Sequence, residues 1–211
     1  MIELVDPDVG YHSSWLEAAA EFAAAGDYQH GSGLAPDDMP DDQVRGEIFR
    51  PAQLIDPQRF AAFCAAMRAR TDRDIVTPLG FVPDSKLWIV RGDDFLGSLS
   101  LRHELNDWLL REGGHIGYSV RPSARRRGVP TEALRQGLTR ARDLGIDRAL
   151  VTCDDDNAAS AATIERNSGR LENVVDGKRR YWVRAGLRYA AGGWRPDEAG
   201  RAGREAQCSG E

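Results

Sequence analysis

Long apolar runs are missing from this sequence. Nothing in it approaches the ~20 residues needed to cross a bilayer, and its opening, MIELVDPDVG, has neither a basic n-region nor an apolar h-region. A soluble, cytoplasmic protein without a membrane partner is the expectation. Cysteine is scarce as well. Cys64, Cys153 and Cys208 are odd in number and far apart, which gives neither a disulfide framework nor a CxxC metal pair; buried, reduced thiols and no metal site are expected. A surplus of basic charge is also absent. With Lys+Arg 28 against Asp+Glu 33 the net charge is −5, which argues against a protein whose main task is to hold nucleic acid, because that work rests on neutralising phosphates. Internal repeats are lacking too. What the chain does have is 211 residues, 41% of them hydrophobic, enough to line a core in one domain with additions.

Charge is unevenly spread. Residues 1–60 carry 12 acidic side chains against three basic ones, Arg45, Arg50 and Arg59, which reads either as a solvated acidic face or as a surface suited to a cationic substrate. In the same stretch Trp15, Leu16, Ala19, Phe22 and Ala23 recur at three- and four-residue steps and stop at Gly26, the pattern of an amphipathic helix. The Gly-, Asp- and Pro-rich run from Asp27 to about Gln43 is a loop longer than most connections. Asp56-Pro57 then supplies an N-cap and a first-turn proline to a second helix that buries Phe60, Phe63, Cys64 and Met67.

From Leu87 the periodicity becomes that of strands: LWIV, a turn from Arg91 to Asp94, then FLGSLSLRHEL, an antiparallel pair. After a connection from Asn106 to Gly114, HIGYSV makes a further strand that ends at Arg121-Pro122. A helix from about Thr131 to Leu144 places Leu134, Leu138 and Ala141 on one face, and RALVTC is a nearly continuous apolar strand, as expected where both faces are covered. Asn157 to Asn167 reads as a short helix. RLENVV and RRYWV, joined at Asp176-Gly177, read as a hairpin. Beyond Gly186 the chain is rich in Gly, Ala and Arg and is expected to be a mostly disordered tail.

Chemistry is carried by the strand HIGYSV, the loop RPSARRRGVP, the helix TEALRQGLTRARDLG and the strand RALVTC. A loop that leaves a strand and enters a helix offers backbone N–H groups at the positive end of the helix dipole, which suits a pyrophosphate. Arg125, Arg126 and Arg127 add charge beside it. The stretch from Arg125 to Leu134 resembles the acyl-CoA pyrophosphate loop of the GNAT N-acetyltransferases, whose pattern is Arg/Gln-x-x-Gly-x-Gly/Ala before a helix. GGHIGYSVRP is similar to that family's fourth strand, RALVTCDDDNAASAATIERNSG to its fifth strand and following helix, and the YWV hairpin to its closing strands. HELND, GGHIGY and DNAAS are similar to one bacterial branch of predicted GNAT acetyltransferases.

The resemblance implies an α/β (α+β) fold: a central mixed, mostly antiparallel twisted sheet flanked by helices. Residues 1–84, an N-terminal strand and helical part, would shape the acceptor site; 85–185 would form the acetyl-CoA-binding core, and 186–211 the tail. It further implies an N-acetyltransferase that moves an acetyl group from acetyl-CoA, its co-substrate, to a primary amine by direct attack in a ternary complex. The acceptor expected is a small molecule: an amino sugar, an antibiotic, an amino-acid derivative or a polyamine. A protein amine, or a non-catalytic acyl-CoA-binding module, is the alternative, and the oligomeric state stays open, a homodimer included.

Residue by residue, the resemblance assigns the pantetheine and diphosphate to the chain at Val120 and at Arg125, Arg126, Arg127, Gly128, Val129, Pro130 and Thr131. Asn157 and Ser160 would touch the pantetheine arm, Asn157 being equally suited to cap its own helix. There are two departures. Pro130, which has no N–H, stands where the family has Gly or Ala. Ile164 stands where many members have the tyrosine that protonates the departing thiolate, so water, Tyr118 or another group must serve, or no acid is needed. An amine of pKa about 10.4 is only roughly one part in two thousand neutral at pH 7, so a proton acceptor is wanted. Glu104 and His115 are favoured, with His103 and Tyr118 as the other candidates. Alternation puts His103 and Glu104 on opposite faces of their strand. The oxyanion would meet backbone N–H groups near Gly117 to Val120, and Cys153 reads as inert packing rather than an acyl relay.

Overall fold

The computed structural model describes residues 1–35, 39–41 and 45–185. The expected tail from Gly186 onward lies outside the described residues. Seven strands form one sheet: β1 (Glu3–Val5), β2 (Asp84–Arg91), β3 (Asp94–Arg102), β4 (Ile116–Val120), β5 (Arg148–Asp154), β6 (Arg170–Val175) and β7 (Lys178–Arg184). Their spatial order is β1-β2-β3-β4-β5-β7-β6. Every neighbouring pair is antiparallel except β4 and β5, so the sheet is mixed and mostly antiparallel, as the resemblance implied. Helices α1 (His12–Ala24), α2 (Pro57–Ala69), α3 (Arg73–Val76), α4 (Val129–Asp143) and α5 (Ala158–Arg166) flank it.

Local chemistry accounts for the boundaries. The Asp56 carboxylate caps α2 by accepting the Gln58 N–H at 2.8 Å. Helix α4 starts two residues before the predicted Thr131, with Pro130 in its first turn, where the missing N–H would have had no helical partner. Asp176 and Gly177 have φ of 50° and 76°, the doubly left-handed turn that matches the twist of a tight hairpin. The strand expected to run through HEL stops at Arg102, whose N–H makes the last bond to β4, at His115 O (2.8 Å). His103 and Glu104 therefore lie in a bend, and strand alternation does not govern them. The connection from Asn106 to Gly114 is wound rather than open: Leu109–Gly113 forms a π-helical turn, capped by Asn106 Oδ1 at Leu109 N–H (2.9 Å).

Both faces of the sheet are covered. Leu87, Ile89, Leu99, Ile116 and Val151 pack beneath α4 and α5 with Val129, Leu134 and Ile164. Trp88, Val90 and Phe95 pack on the other face with Trp15, Phe60 and Phe63 of α1 and α2. Each such side chain contributes about 1.5–3 kcal/mol on burial. Cys64 and Cys153 are free and buried; Cys208 lies outside the described residues. No helix among the described residues is long and apolar enough to cross a membrane.

Candidate active site

Strands β4 and β5 meet at one register pair, Ile116↔Val151, and diverge beyond it. The closed end is tight: His115 N–H donates to Leu150 O (2.7 Å), and Leu150 N–H donates to His115 Nδ1 (2.9 Å). Gly114, with φ 61°, permits this approach, because a Cβ there would lie 2.5 Å from Leu150 O. Towards the open end the odd-numbered residues of β4 bond to β3, as fixed by Arg102 N–H to His115 O and Arg121 N–H to Leu96 O. Alternation then turns the peptide groups of Tyr118 and Val120 into the gap. Arg125 Nε takes the Val120 carbonyl (3.0 Å).

Beyond the gap runs the Arg-rich loop, held by the N-terminal helix. The Glu21 carboxylate accepts from Arg121 Nε (3.1 Å) and Nη2 (2.5 Å), Ser123 N–H (2.9 Å) and Ser123 Oγ (2.9 Å). Its hydrogen bonds with Arg121 above all, against the opposing effect of burial, hold it at about 2. Arg125 pairs with Asp27 (2.7 Å) and lies over the Phe22 ring. Arg125 is thus a clamp, while Arg126 and Arg127 are exposed and have no ion-pair partner among the described residues. Arg126 (φ 59°) and Gly128 (φ 75°) are left-handed and turn the chain into α4. The first helical bond is Glu132 N–H to Gly128 O (3.1 Å). The main-chain N–H groups of Arg126, Arg127, Gly128, Val129 and Thr131 find no acceptor among the described residues.

The other wall of the gap is the start of α5. Asn157 Oδ1 caps it at Ser160 N–H (2.9 Å), the local reading of that residue. The Tyr118 hydroxyl reaches across to Ser160 Oγ at 3.0 Å. Burial pushes the Tyr118 phenol up to about 12 and raises the nearby Cys153 thiol. Tyr118, Val120, Ser160 and the loop are therefore brought together. Glu104 is not. It lies beyond the closed end of the gap, past Arg102, which at ~3.3 Å per residue stands about 10 Å along β3 from the register partner of Tyr118. Both Glu104 oxygens bind Arg73 (3.0 and 2.7 Å), which holds the carboxyl below its usual range. His115 spends Nδ1 on Leu150 N–H, so its proton sits on Nε2, and burial, with Arg102 adding to it, pushes it down to about 4. His103 Nε2 contacts Ser85 Oγ (2.9 Å) and is lowered by burial. None of the three offers a basic atom to the gap.

Sequence reasoning missed Glu21 and Arg121, which are 100 residues apart and carry no local signal. It also missed a buried ionic group on the α2 face of the sheet, although D-x-K at Asp84 and Lys86 and S-x-S-x-R at Ser98, Ser100 and Arg102 put polar residues on one strand face. Asp84 binds Arg70 Nε (2.6 Å), Lys86 Nζ (2.8 Å) and Ser100 Oγ (2.9 Å). Burial would raise its carboxyl, but Lys86 and Arg70 outweigh that and hold it at about 2. Among the described residues no three His, Cys, Asp or Glu side chains are grouped to hold a metal ion.

A parallel pair of strands thus splays beside a strand-to-helix loop whose main-chain amides find no acceptor among the described residues. Residues 42–169 match the acetyltransferase (GNAT) domain family, and the chain belongs to that family. It is an acyltransferase that uses acetyl-CoA. No curated protein matches the chain. Among solved structures it is similar to Mycobacterium smegmatis RimJ in complex with CoA-disulfide: 17% identity, covering 87% of this chain and 82% of that one, TM-score 0.59. It is also similar to the microcin C7 self-immunity acetyltransferase MccE in complex with acetyl-CoA and AMP, at 17% identity, 87% and 92% coverage and TM-score 0.54. A third is RimL, a ribosomal L7/L12 alpha-N-protein acetyltransferase, at 18% identity, 87% and 90% coverage and TM-score 0.50. At these identities the likeness is one of fold.

Proposed function

We propose that this acyltransferase moves the acetyl group of acetyl-CoA to a primary amine of a small molecule, by direct attack in a ternary complex. The observation that carries the reading is the run of unoccupied main-chain N–H groups from Arg126 to Thr131 at the mouth of the β4–β5 gap. A diphosphate there accepts from those amides at the positive end of α4, with Arg126 and Arg127 adding screened charge. Pro130 gives no bond, and its neighbours supply the site. The pantetheine arm extends along the edge of β4 at Tyr118 and Val120 as an added strand would, with Asn157 and Ser160 on the opposite wall. The tetrahedral oxyanion is met by the Tyr118 N–H, a donor fixed before reaction.

Tyr118 takes the acid role that Ile164 cannot. Its phenol stays protonated across the physiological range and stands in the gap, so it donates to the thiolate as the C–S bond breaks. With His115 and Glu104 committed to the fold, the amine loses its proton to solvent, and no side-chain base is assigned. The rate then rises with pH as the free amine does, with no inflection near 6.5.

A cavity open to solvent on the α2 face of the sheet supports a small-molecule acceptor. A cavity of about 660 Å³ lies between α2, α3 and the loop after α1, lined by Leu34, Phe49, Met67, Phe81 and Trp108. Thiol release from acetyl-CoA with a panel of small amines and N-terminal peptides tests the reading. Turnover of small amines is expected. Thermal stabilisation by CoA with no turnover of any amine would make the protein a binding module, and turnover of peptides alone would assign a protein acceptor.

A further inference from the structure

The cavity and the gap are not joined. Between them runs the loop after α1: Tyr28, Gly33 and Leu34 line the cavity, while Gly31 lies on the sheet, where a Cβ would stand 3.2 Å from Gly117 O and 3.5 Å from Ser100 Cβ. The loop begins at Asp27, which pairs with Arg125 (2.7 Å), and Arg125 Nε in turn takes the Val120 carbonyl (3.0 Å). From Asp27 to Gly31 the chain thus passes from Val120 to Gly117 and crosses the strand position between them, Ser119. Side chains alternate along β4, and those of Tyr118 and Val120 pack towards α4 and α5. The Gly117 and Ser119 face is the one the loop covers. With Tyr118, Cys153 and Ser160 filling the helix side of the gap, a thioester lying in it has its other face on the α2 side, under the loop.

The loop is weakly fastened to its seat. Its main-chain hydrogen bonds remain within it, His30 N–H to Tyr28 O (3.0 Å) and Ser32 N–H to Gln29 O (3.2 Å), and among the described residues none joins residues 28–34 to β3 or β4. Yet Gln29 and Ser32 are only 4% and 3% exposed. Gln29 Oε1 and the hydroxyls of Ser98 and Ser119, register partners on β3 and β4, are buried there without a hydrogen-bond partner among the described residues. Native interiors pair nearly all such groups, because an unpaired one forfeits the hydrogen bonds it made in water. Three together at one seat mark a contact that holds by packing alone and gains hydrogen bonds when opened. Helix α1 behind the loop is fastened, by contrast, through Glu21 to Arg121 and Ser123. A segment of few bonds beside a fastened helix is the kind that opens locally while the fold persists.

We infer that residues 28–33 are a lid on the acceptor side of β4. Seated, they part the cavity from the gap; lifted, they join the two and open Ser98, Ser119 and Gln29 to water or to the acceptor. Asp27 stays on Arg125 as the fixed end, so the Val120 edge of the donor site is undisturbed when the lid moves. The inference rests on the acetyl-transfer reading and names the step that admits the acceptor: the amine enters after the lid lifts, whereas acetyl-CoA binds in either position.

The test is to lock the loop in place. In the double variant Gly31→Cys with Ser100→Cys the two Cβ atoms would stand 3.5 Å apart, within the span of a disulfide. The full chain is assayed after oxidation with diamide and again after reduction, with the unsubstituted chain treated alike to account for Cys64, Cys153 and Cys208. Oxidation is expected to lower kcat/KM for small amines at least tenfold, with recovery on reduction, and to leave thermal stabilisation by CoA unchanged. Equal turnover in the two states overturns the inference. Loss of CoA stabilisation on oxidation overturns it as well, since the loop would then belong to the donor site. Should the pair fail to fold or to cross-link, or should no amine turn over in any form, Ser119→Cys decides, because it exchanges a hydroxyl without a partner for a thiol of similar size. Labelling of that thiol by a soluble disulfide reagent far faster than global unfolding upholds the lid; labelling only as fast as the protein unfolds overturns it. CoA stabilisation with no turnover of any amine removes the acetyl-transfer reading and leaves the lid to the labelling rate.

Discussion

The loop after β4 and the sheet face under α2 border the same strand but are built from different material. The loop presents main-chain amides, from Arg126 to Thr131, positioned by two left-handed residues and by clamps from Glu21 in α1 and Asp27 just after it. The α2 face presents side chains gathered from α2, β2 and β3. Main-chain donors are present whatever the side chains are, proline excepted, so a donor site of this kind tolerates most sequence change if the backbone path is kept. A side-chain site is altered by one substitution. That is the arrangement expected of a scaffold with a constant acyl donor and a changeable acceptor.

The comparison can be broken most severely at the backbone. Gly128→Val forces a β-branched residue into φ 75°, which L side chains resist; at least a hundredfold loss in kcat/KM and loss of stabilisation by CoA are expected in calorimetry and assay. Because a Cβ there meets nothing within 4 Å, the protein should still fold, as circular dichroism would record. Tyr118→Phe should lower kcat by tens of fold at unchanged KM for acetyl-CoA, and an unchanged kcat would remove the phenol from the chemistry.

Smaller effects sharpen the contrast. Glu21→Ala leaves Arg121, whose side chain is 10% exposed, with the Phe95 carbonyl and Glu17 at 3.7 Å, and should cost about 2 kcal/mol in denaturant unfolding, less than a fully buried pair because Glu21 is itself part exposed. The pH dependence has a definite sign. Glu21 and Asp84 are both held at about 2 when folded, so their stabilisation is complete above the ordinary carboxylate range and is lost as pH falls from about 4.5 towards 2. The Glu21→Ala variant should lose part of that acid sensitivity. Smallest of all, Arg126→Ala with Arg127→Ala should raise KM for acetyl-CoA only a few fold, with the difference shrinking in salt.

Much of this was legible in advance. Asp56-Pro57 gave the start of α2, Asp176-Gly177 the last hairpin, and the Arg-rich run the strand-to-helix turn that is proposed as the donor site, because each depends on neighbouring residues. The end of β3 was not legible, since it depends on where β4 stops pairing. The candidate bases His115 and Glu104 were chosen by type and position. Their partners, Leu150 and Arg73, lie 35 and 31 residues away, and no local pattern announces them.

By itself the sequence determined the order of elements, the apolar faces and the strand-to-helix loop, since periodicity, caps and turn residues act within a few positions. Only the tertiary structure decided which polar groups remain free. Whether a carboxylate, imidazole or amide is available for chemistry depends on what folding brings against it, and those partners come from distant parts of the chain.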